Sequence, residues 1–295
     1  MNFHRIKKLA VVLLTLPLLA LGTMVLLKES PTPKIYDCFL FFNELELLEV
    51  RLNEMYDHVD KFVIVEATET FRGTPKPLIF AENRHLFEKF SDKIIHIPIT
   101  EHYETKTPWK REAFQRQQIM RGLKQCHPRD VILLSDLDEI VKGTSIANLA
   151  ELITSKELQV IVCIQKMYTG YLNRLMSTTW PGTVVTSFKN FKRLPVEKIR
   201  HLRNSQPRSL RKAKISKMRQ IENTGWHFNS IGGPARYATK LVSFSHHELD
   251  TPDIDKTKLY EDMVNPLQRI PIDDSFPVYI REHQDYFEKI GFLEK

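Results

Sequence analysis

Short apolar runs bounded by polar clusters recur along this chain and alternate with stretches whose apolar residues return every three or four positions. Ile35 to Phe42 (IYDCFLFF) is short, aromatic-rich and followed by polar residues, which predicts a buried strand at the start of the folded domain. Leu45, Leu48, Leu52 and Met55 then fall on one face of a helix. Phe62 to Val65, Ile94 to Ile97 and Val131 to Leu134 give three further strands, with a helix from about Arg111 to Leu123 ahead of the last. Leu158 to Ile164 and Thr183 to Phe188 extend the set, and Tyr260 to Phe292 reads as helices packed against it. Strands alternating with helices predict one α/β domain over residues 35–295, with a mainly parallel central sheet and right-handed crossovers.

One apolar run is too long for a strand. Leu9 to Leu27 holds 19 residues without a charge, about 28 Å as a helix, close to the thickness of a bilayer core. It predicts one N-terminal transmembrane helix, a signal anchor over 9–27, behind a basic tail over 1–8 and ahead of a short tether over 28–34. Ala20-Leu21-Gly22 offers a poor cleavage site as the alternative. Arg5, Lys7 and Lys8 outnumber Lys28 and Lys34, which predicts a cytoplasmic N-terminus and a catalytic domain across the membrane. The chain has no Asn-x-Ser/Thr acceptor, and its three cysteines (Cys38, Cys126, Cys163) read as buried thiols rather than a disulfide framework, so the side of the domain stays open.

Composition excludes disordered, collagen-like and disulfide-scaffold classes: 42% of residues are hydrophobic and 27% charged. The net charge of +7 is local, because Lys189 to Arg219 carries twelve Lys or Arg against one acid, Glu197. That run has Phe191 as its only aromatic, too few for a nucleic-acid stacking platform, so no nucleic acid is expected. It fits a diphosphate, an anionic acceptor or membrane headgroups, with a solvated loop as the plain alternative.

The most informative run is Val131 to Ile140, VILLSDLDEI, where four apolar residues lead into Asp136, Asp138 and Glu139. Ligands of open α/β sheets bind at strand C-termini, and acids one residue apart there can converge on a hard divalent cation that also holds phosphate oxygens. The bare Asp-x-Asp pattern is weak, since Asp253-x-Asp255 repeats it in a polar loop. The strand ahead of the first copy sets it apart.

Four blocks in one order, FFNELELLEVRL (41–52), VDKFVIVEATETFRGTPKP (59–77), LLSDLDEI (133–140) and GWHFNSIGG (225–233), resemble glycosyltransferase family 17. The resemblance implies a GT-A-like nucleotide-sugar-binding domain, UDP-GlcNAc as the donor, inversion at the anomeric carbon, and a mannose-containing or other glycan as acceptor. It implies that Asp138 ligates Mn2+ or Mg2+, with Asp136 nearer the ribose or a metal-bound water and Glu139 orienting both or capping the next segment. A late histidine commonly joins such a metal. His227 is the candidate, with His246 and His247 in competition and a hydrogen-bonded core histidine as the plain alternative. Glu44 and Glu66, at strand ends, are expected to contact nucleotide or acceptor, although Glu44 and Glu46 could simply complement a helix dipole. Arg51 and Arg111 are each expected to reach a phosphate or to form helix-face salt bridges, and Trp226 to sit in the core or stack on a sugar. The base that accepts the acceptor's proton is left among Glu139, Glu66 and Glu197.

Two other readings are open. A strand ending in Asp-x-Asp is also the nucleophile motif of haloacid-dehalogenase-like phosphatases, although Ile140 stands where Thr or Val is usual. A membrane-tethered basic binding module would leave the acidic strand end without a purpose.

Overall fold

The computed structural model describes residues 31–204, 214–245, 251 and 253–295. The expected anchor over 9–27, His246, His247, and Arg208, Arg211 and Lys212 of the basic run lie outside the described residues. Among the described residues no helix is long and apolar enough to cross a membrane.

The residues from Pro33 onward form one unit built on a single sheet. Its strands are β1 (Ile35–Phe41), β2 (Lys61–Ala67), β3 (Ile94–Ile99), β4 (Val131–Leu134), β5 (Glu139–Val141), β6 (Val160–Thr169), β7 (Arg174–Ser187), β8 (Met218–Ile221), β9 (Gly225–Asn229) and β10 (Gln268–Arg269). The order is β3-β2-β1-β4-β7-β6-β9-β5, with β8 on β6 and β10 on β7. The expected mainly parallel sheet is corrected to a mixed one. β3, β2, β1 and β4 run parallel, but β7 lies antiparallel to both β4 and β6, and β5 antiparallel to β9. The reason is the short link between β6 and β7, residues 170–173, which permits a hairpin and no crossover.

Both faces of the parallel half are covered, which is why its strands read as near-continuous apolar runs. Phe39, Phe41, Phe62, Ile64, Val131 and Leu133 enter one core, with Leu48, Leu52 and Met55 of helix Leu45–Met55. Tyr36, Cys38, Val63, Val65, Ile132 and Leu134 enter the other, with Ile119 and Leu123. The single helix expected over 111–123 is two, Pro108–Gln117 and Ile119–Gly122. All three cysteines are free.

One position of β1 breaks the apolar pattern. Asp37 shares the face of Phe39 and Phe41 and is fully buried, opposite Arg51, which helix Leu45–Met55 drives into the same layer. Arg51 Nε and Nη2 donate to the two Asp37 carboxylate oxygens at 2.7 and 2.6 Å. Removing one partner of a buried, hydrogen-bonded ion pair leaves the other charge uncompensated, at about 3–5 kcal/mol. Arg51→Met is therefore expected to lower unfolding stability by about 3–5 kcal/mol, read as a drop in the urea midpoint. A loss below about 1 kcal/mol would show that water reaches the pair.

Candidate active site

The loop after β4 is shaped from beneath by that same guanidinium. Arg51 Nη1 donates to the carbonyls of Asp136, Leu137 and Glu139 at 3.0, 3.0 and 2.9 Å, and Nη2 to Ser135 Oγ at 2.6 Å. With the backbone so held, residues 136–139 line a cavity of about 250 Å³ at the C-terminal ends of β1 and β4. Of the two expectations for Arg51, a phosphate contact or a salt bridge, the structure shows the salt bridge, to Asp37, and Arg51 does not line the cavity.

The three acids of the loop meet different surroundings. Asp136 Oδ1 accepts from Arg116 Nη1 at 2.9 Å and Oδ2 from Arg200 Nη2. Burial pushes the Asp136 carboxyl up, but Arg200, Arg116 and Arg203 outweigh it and hold the group well below the usual carboxylate range. Glu139, 1% exposed, accepts from Arg200 Nη2 at 2.8 and 3.0 Å, Arg203 Nη1 at 2.6 Å and Trp180 Nε1 at 3.0 Å. Every oxygen of these two side chains is engaged by arginine.

Asp138 is the exception, with no arginine partner among the described residues. Its Oδ2 faces His227 Nε2 at 3.5 Å and Lys240 Nζ at 3.4 Å. Burial raises its carboxyl, yet His227 and Lys240 bring it down to about 2. His227 is delivered by β9, whose register sets it opposite Glu139, and the Asp138 carbonyl accepts the next N–H, that of Phe228, at 2.8 Å. Gly225 opens β9 because any Cβ there would lie 2.1 Å from the Ile140 carbonyl oxygen. The imidazole packs at a tilt against Trp180 with ring centroids 4.7 Å apart, and its Nδ1 is buried without a partner among the described residues.

Of the other expected residues, Glu44 lines the cavity, and burial raises its carboxyl above the ordinary value against the pull of Lys240. Its carboxylate accepts the Asn43 N–H at 3.1 Å. Glu66 and Arg111 do not line the cavity. Glu66 accepts the N–H of Phe80 at 2.8 Å and faces His96 Nε2 at 3.2 Å, so it secures the chain after β2. Arg111 donates to the carbonyls of Phe71 and Thr105 at 2.8 and 2.6 Å, bracing a loop. Glu46 pairs with Arg236 on the surface, and Trp226 is buried with Nε1 donating to the Ser275 carbonyl. Glu197, one of the three candidates for the base, is paired with Arg116 and His201.

Sequence reasoning missed Arg116, Arg200, Arg203, Trp180 and Lys240. Two of them were inside the basic run, so part of its charge faces the chain's own acidic loop, which narrows what remains for an outside partner.

A family model for glycosyltransferase family 17 matches residues 24–205. Over 107 residues the chain is 32% identical to the human β-1,4-mannosyl-glycoprotein 4-β-N-acetylglucosaminyltransferase, 33% of this chain and 20% of the human protein. The mouse protein of that name is 31% identical over a stretch of the same length. The chain thus spans about a fifth of the curated relatives it matches. Among solved structures, a mannosyltransferase from Pyrobaculum calidifontis, in complex with GDP-Man and Mn2+, overlays with a TM-score of 0.45 and 12% identity, covering 85% of this chain and 76% of that one. The family match makes this chain a glycosyltransferase. It belongs to glycosyltransferase family 17.

The acids of the loop carry a stability signature. Asp136 and Asp138 ionise below the ordinary aspartate value of 3.8 in the folded state. Their ionised forms stabilise the fold above about pH 4, and that contribution is lost as pH falls toward about 2. Denaturant midpoints are expected to drop through this window, less steeply for Asp138→Asn than for wild type. Equal slopes would mean that Asp138 is no better paired folded than unfolded.

Proposed function

We propose that this family 17 chain is an inverting glycosyltransferase with a GT-A-like domain that transfers GlcNAc from UDP-GlcNAc to a mannose-containing glycan. The observation that carries the reading is the division of labour in the acidic loop: Asp136 and Glu139 are neutralised by arginine, whereas Asp138 is held ionised and turned toward His227 inside the cavity. Family membership sets aside the phosphatase and the binding module.

Asp138 and His227 fit a divalent cation: an ionised carboxylate oxygen and an imidazole nitrogen suit Mn2+, and Mg2+ less well. Among the described residues no group of three or more acids, histidines or cysteines is placed to hold a metal, so other oxygens complete the shell. When bound, such an ion supplies Lewis-acid stabilisation of the departing diphosphate. The protein's own contribution is preorganisation. Arg51 fixes the loop backbone and the arginines fix two of its carboxylates, so no reorganisation is needed as charge develops on the leaving group.

Attack by the acceptor hydroxyl needs a carboxylate that takes its proton. Glu139, Glu66 and Glu197 are all committed to other partners. Of the acids lining the cavity, Glu69 pairs with Arg111 and Glu112 with Arg116, which leaves Glu44, with its raised carboxyl, as the base. The segment over 9–27 anchors the domain to a membrane, and the basic run beyond Arg200 and Arg203 faces an anionic acceptor or headgroups.

The test is UDP release from UDP-GlcNAc with Mn2+ and a mannose-terminated acceptor. Asp138→Ala is expected to lower turnover by about 100-fold or more, in the range of other lost electrostatic stabilisers, with the fold retained. Turnover within about threefold of wild type would overturn the reading. Glu44→Gln is expected to lower kcat by about 100-fold. Wild-type transfer should rise with pH through a value above the usual 4.5 of a glutamate, because only the ionised form accepts a proton, and this limb should vanish in Glu44→Gln.

A further inference from the structure

Asp138 already has a cation beside it. The Lys240 ammonium lies 3.4 Å from Asp138 Oδ2 and 3.0 Å from the Asn229 side-chain oxygen, while His227 Nε2 stands 3.5 Å from the same Asp138 oxygen. An ammonium only donates, so it is the amide oxygen of Asn229 that must face it. His227 and Asn229 are two residues apart on β9, and alternate residues of a strand share a face. Both line the cavity, as do Asp138 and Lys240. One face of the cavity therefore gathers an ammonium held by a carboxylate oxygen and an amide oxygen, with an imidazole nitrogen facing the same carboxylate oxygen.

We propose that these three groups are one cation site, that Asn229 is its third protein donor, and that Lys240 is an internal counterion which the divalent ion must displace. The proposal rests on the metal-dependent reading above and adds to it the state of the site before an ion arrives. An ammonium and a divalent ion at one carboxylate repel strongly where water is scarce. Lys240 can yield because its charge rides on a flexible four-carbon stem, from helix Gly233–Ser243, with about a quarter of the side chain exposed. It has somewhere to go: the same cavity receives the diphosphate of the donor, whose negative charge an ammonium released from Asp138 would meet. Ion and nucleotide then favour each other's entry, and without nucleotide Asp138 stays neutralised and resists stray cations.

Mn2+ binding to the full-length protein without nucleotide tests this directly, by calorimetry and by the electron paramagnetic resonance signal of free Mn2+. Lys240→Met, which keeps the length of the stem, is expected to tighten Mn2+ binding about tenfold, whereas Lys240→Arg, which keeps the charge, does not tighten it. In the Lys240→Met background, Asn229→Ala is expected to weaken binding about tenfold. Should Lys240→Met change the near-ultraviolet circular dichroism, Lys240→Gln takes its place. Binding by the neutral variant no tighter than wild type overturns the displacement, and an unchanged affinity on losing Asn229 overturns the third donor. Asp138→Asn separates this proposal from the reading beneath it. If it abolishes Mn2+ binding while Lys240→Met leaves affinity unchanged, only the role of Lys240 falls. If Mn2+ binding is indifferent to Asp138→Asn, both fall.

Discussion

A buried guanidinium is the constraint on which this site depends. Arg51 is completely enclosed, its Cζ lies 4.3 Å from the centre of the Phe39 ring, and its nitrogens bond to both oxygens of Asp37, to Ser135 Oγ and to three carbonyls of the acidic loop. Burying a charge is tolerable only when it is paired and its donors are met, and here the donors are met by the acidic loop that lines the cavity. The loop cannot change shape without orphaning that charge. Its rigidity therefore comes from the core below and owes little to whatever binds above.

Above this base the charges are sorted into two groups. Arg116, Arg200 and Arg203 converge from helix Pro108–Gln117 and from residues 196–204 on Asp136 and Glu139, each at hydrogen-bond distance. Such charge-assisted, partly buried pairs are worth more than surface bridges, and they leave those two acids with little capacity for a ligand. Asp138 receives weaker, longer contacts from side chains that reach it from β9 and helix Gly233–Ser243. A carboxylate whose partners can be displaced, set between two that arginine holds firmly, is what a site needs if its ligand brings its own positive charge.

The fold was legible where burial is symmetric. Val131–Leu134 matched its apolar run to the residue, and β1, β2 and β3 to within two, because covering both faces of a parallel layer leaves no polar alternation to blur the ends. The antiparallel half was harder to read. β7 spans Arg174–Ser187, but only its inner end from Thr183 looked like a strand, since its outer half is partly exposed and polar. At the site, Asp138 and His227 stood out by motif and resemblance, and the fold brings them together. The arginines did not, because a guanidinium says nothing about which distant carboxylate it will meet. Glu66 shows the converse: a strand-end acid was read as a ligand, and a nearby N–H and His96 took it instead.

The position of β1 has a consequence for how the chain is made. β1 sits between β2, which begins at Lys61, and β4, which begins only at Val131, and Lys34 N–H is capped by the side chain of Asp130. During synthesis from the N-terminus, one edge of this apolar strand must wait for roughly ninety residues before its partner emerges, at about 5–20 residues per second. For those seconds Asp37 also faces Arg51 without Ser135 or the loop carbonyls to complete the arrangement. An exposed apolar edge of this kind invites pairing with other chains. The strand that underlies the candidate site is thus exposed along one edge in the nascent protein, and the arrival of β4 closes it.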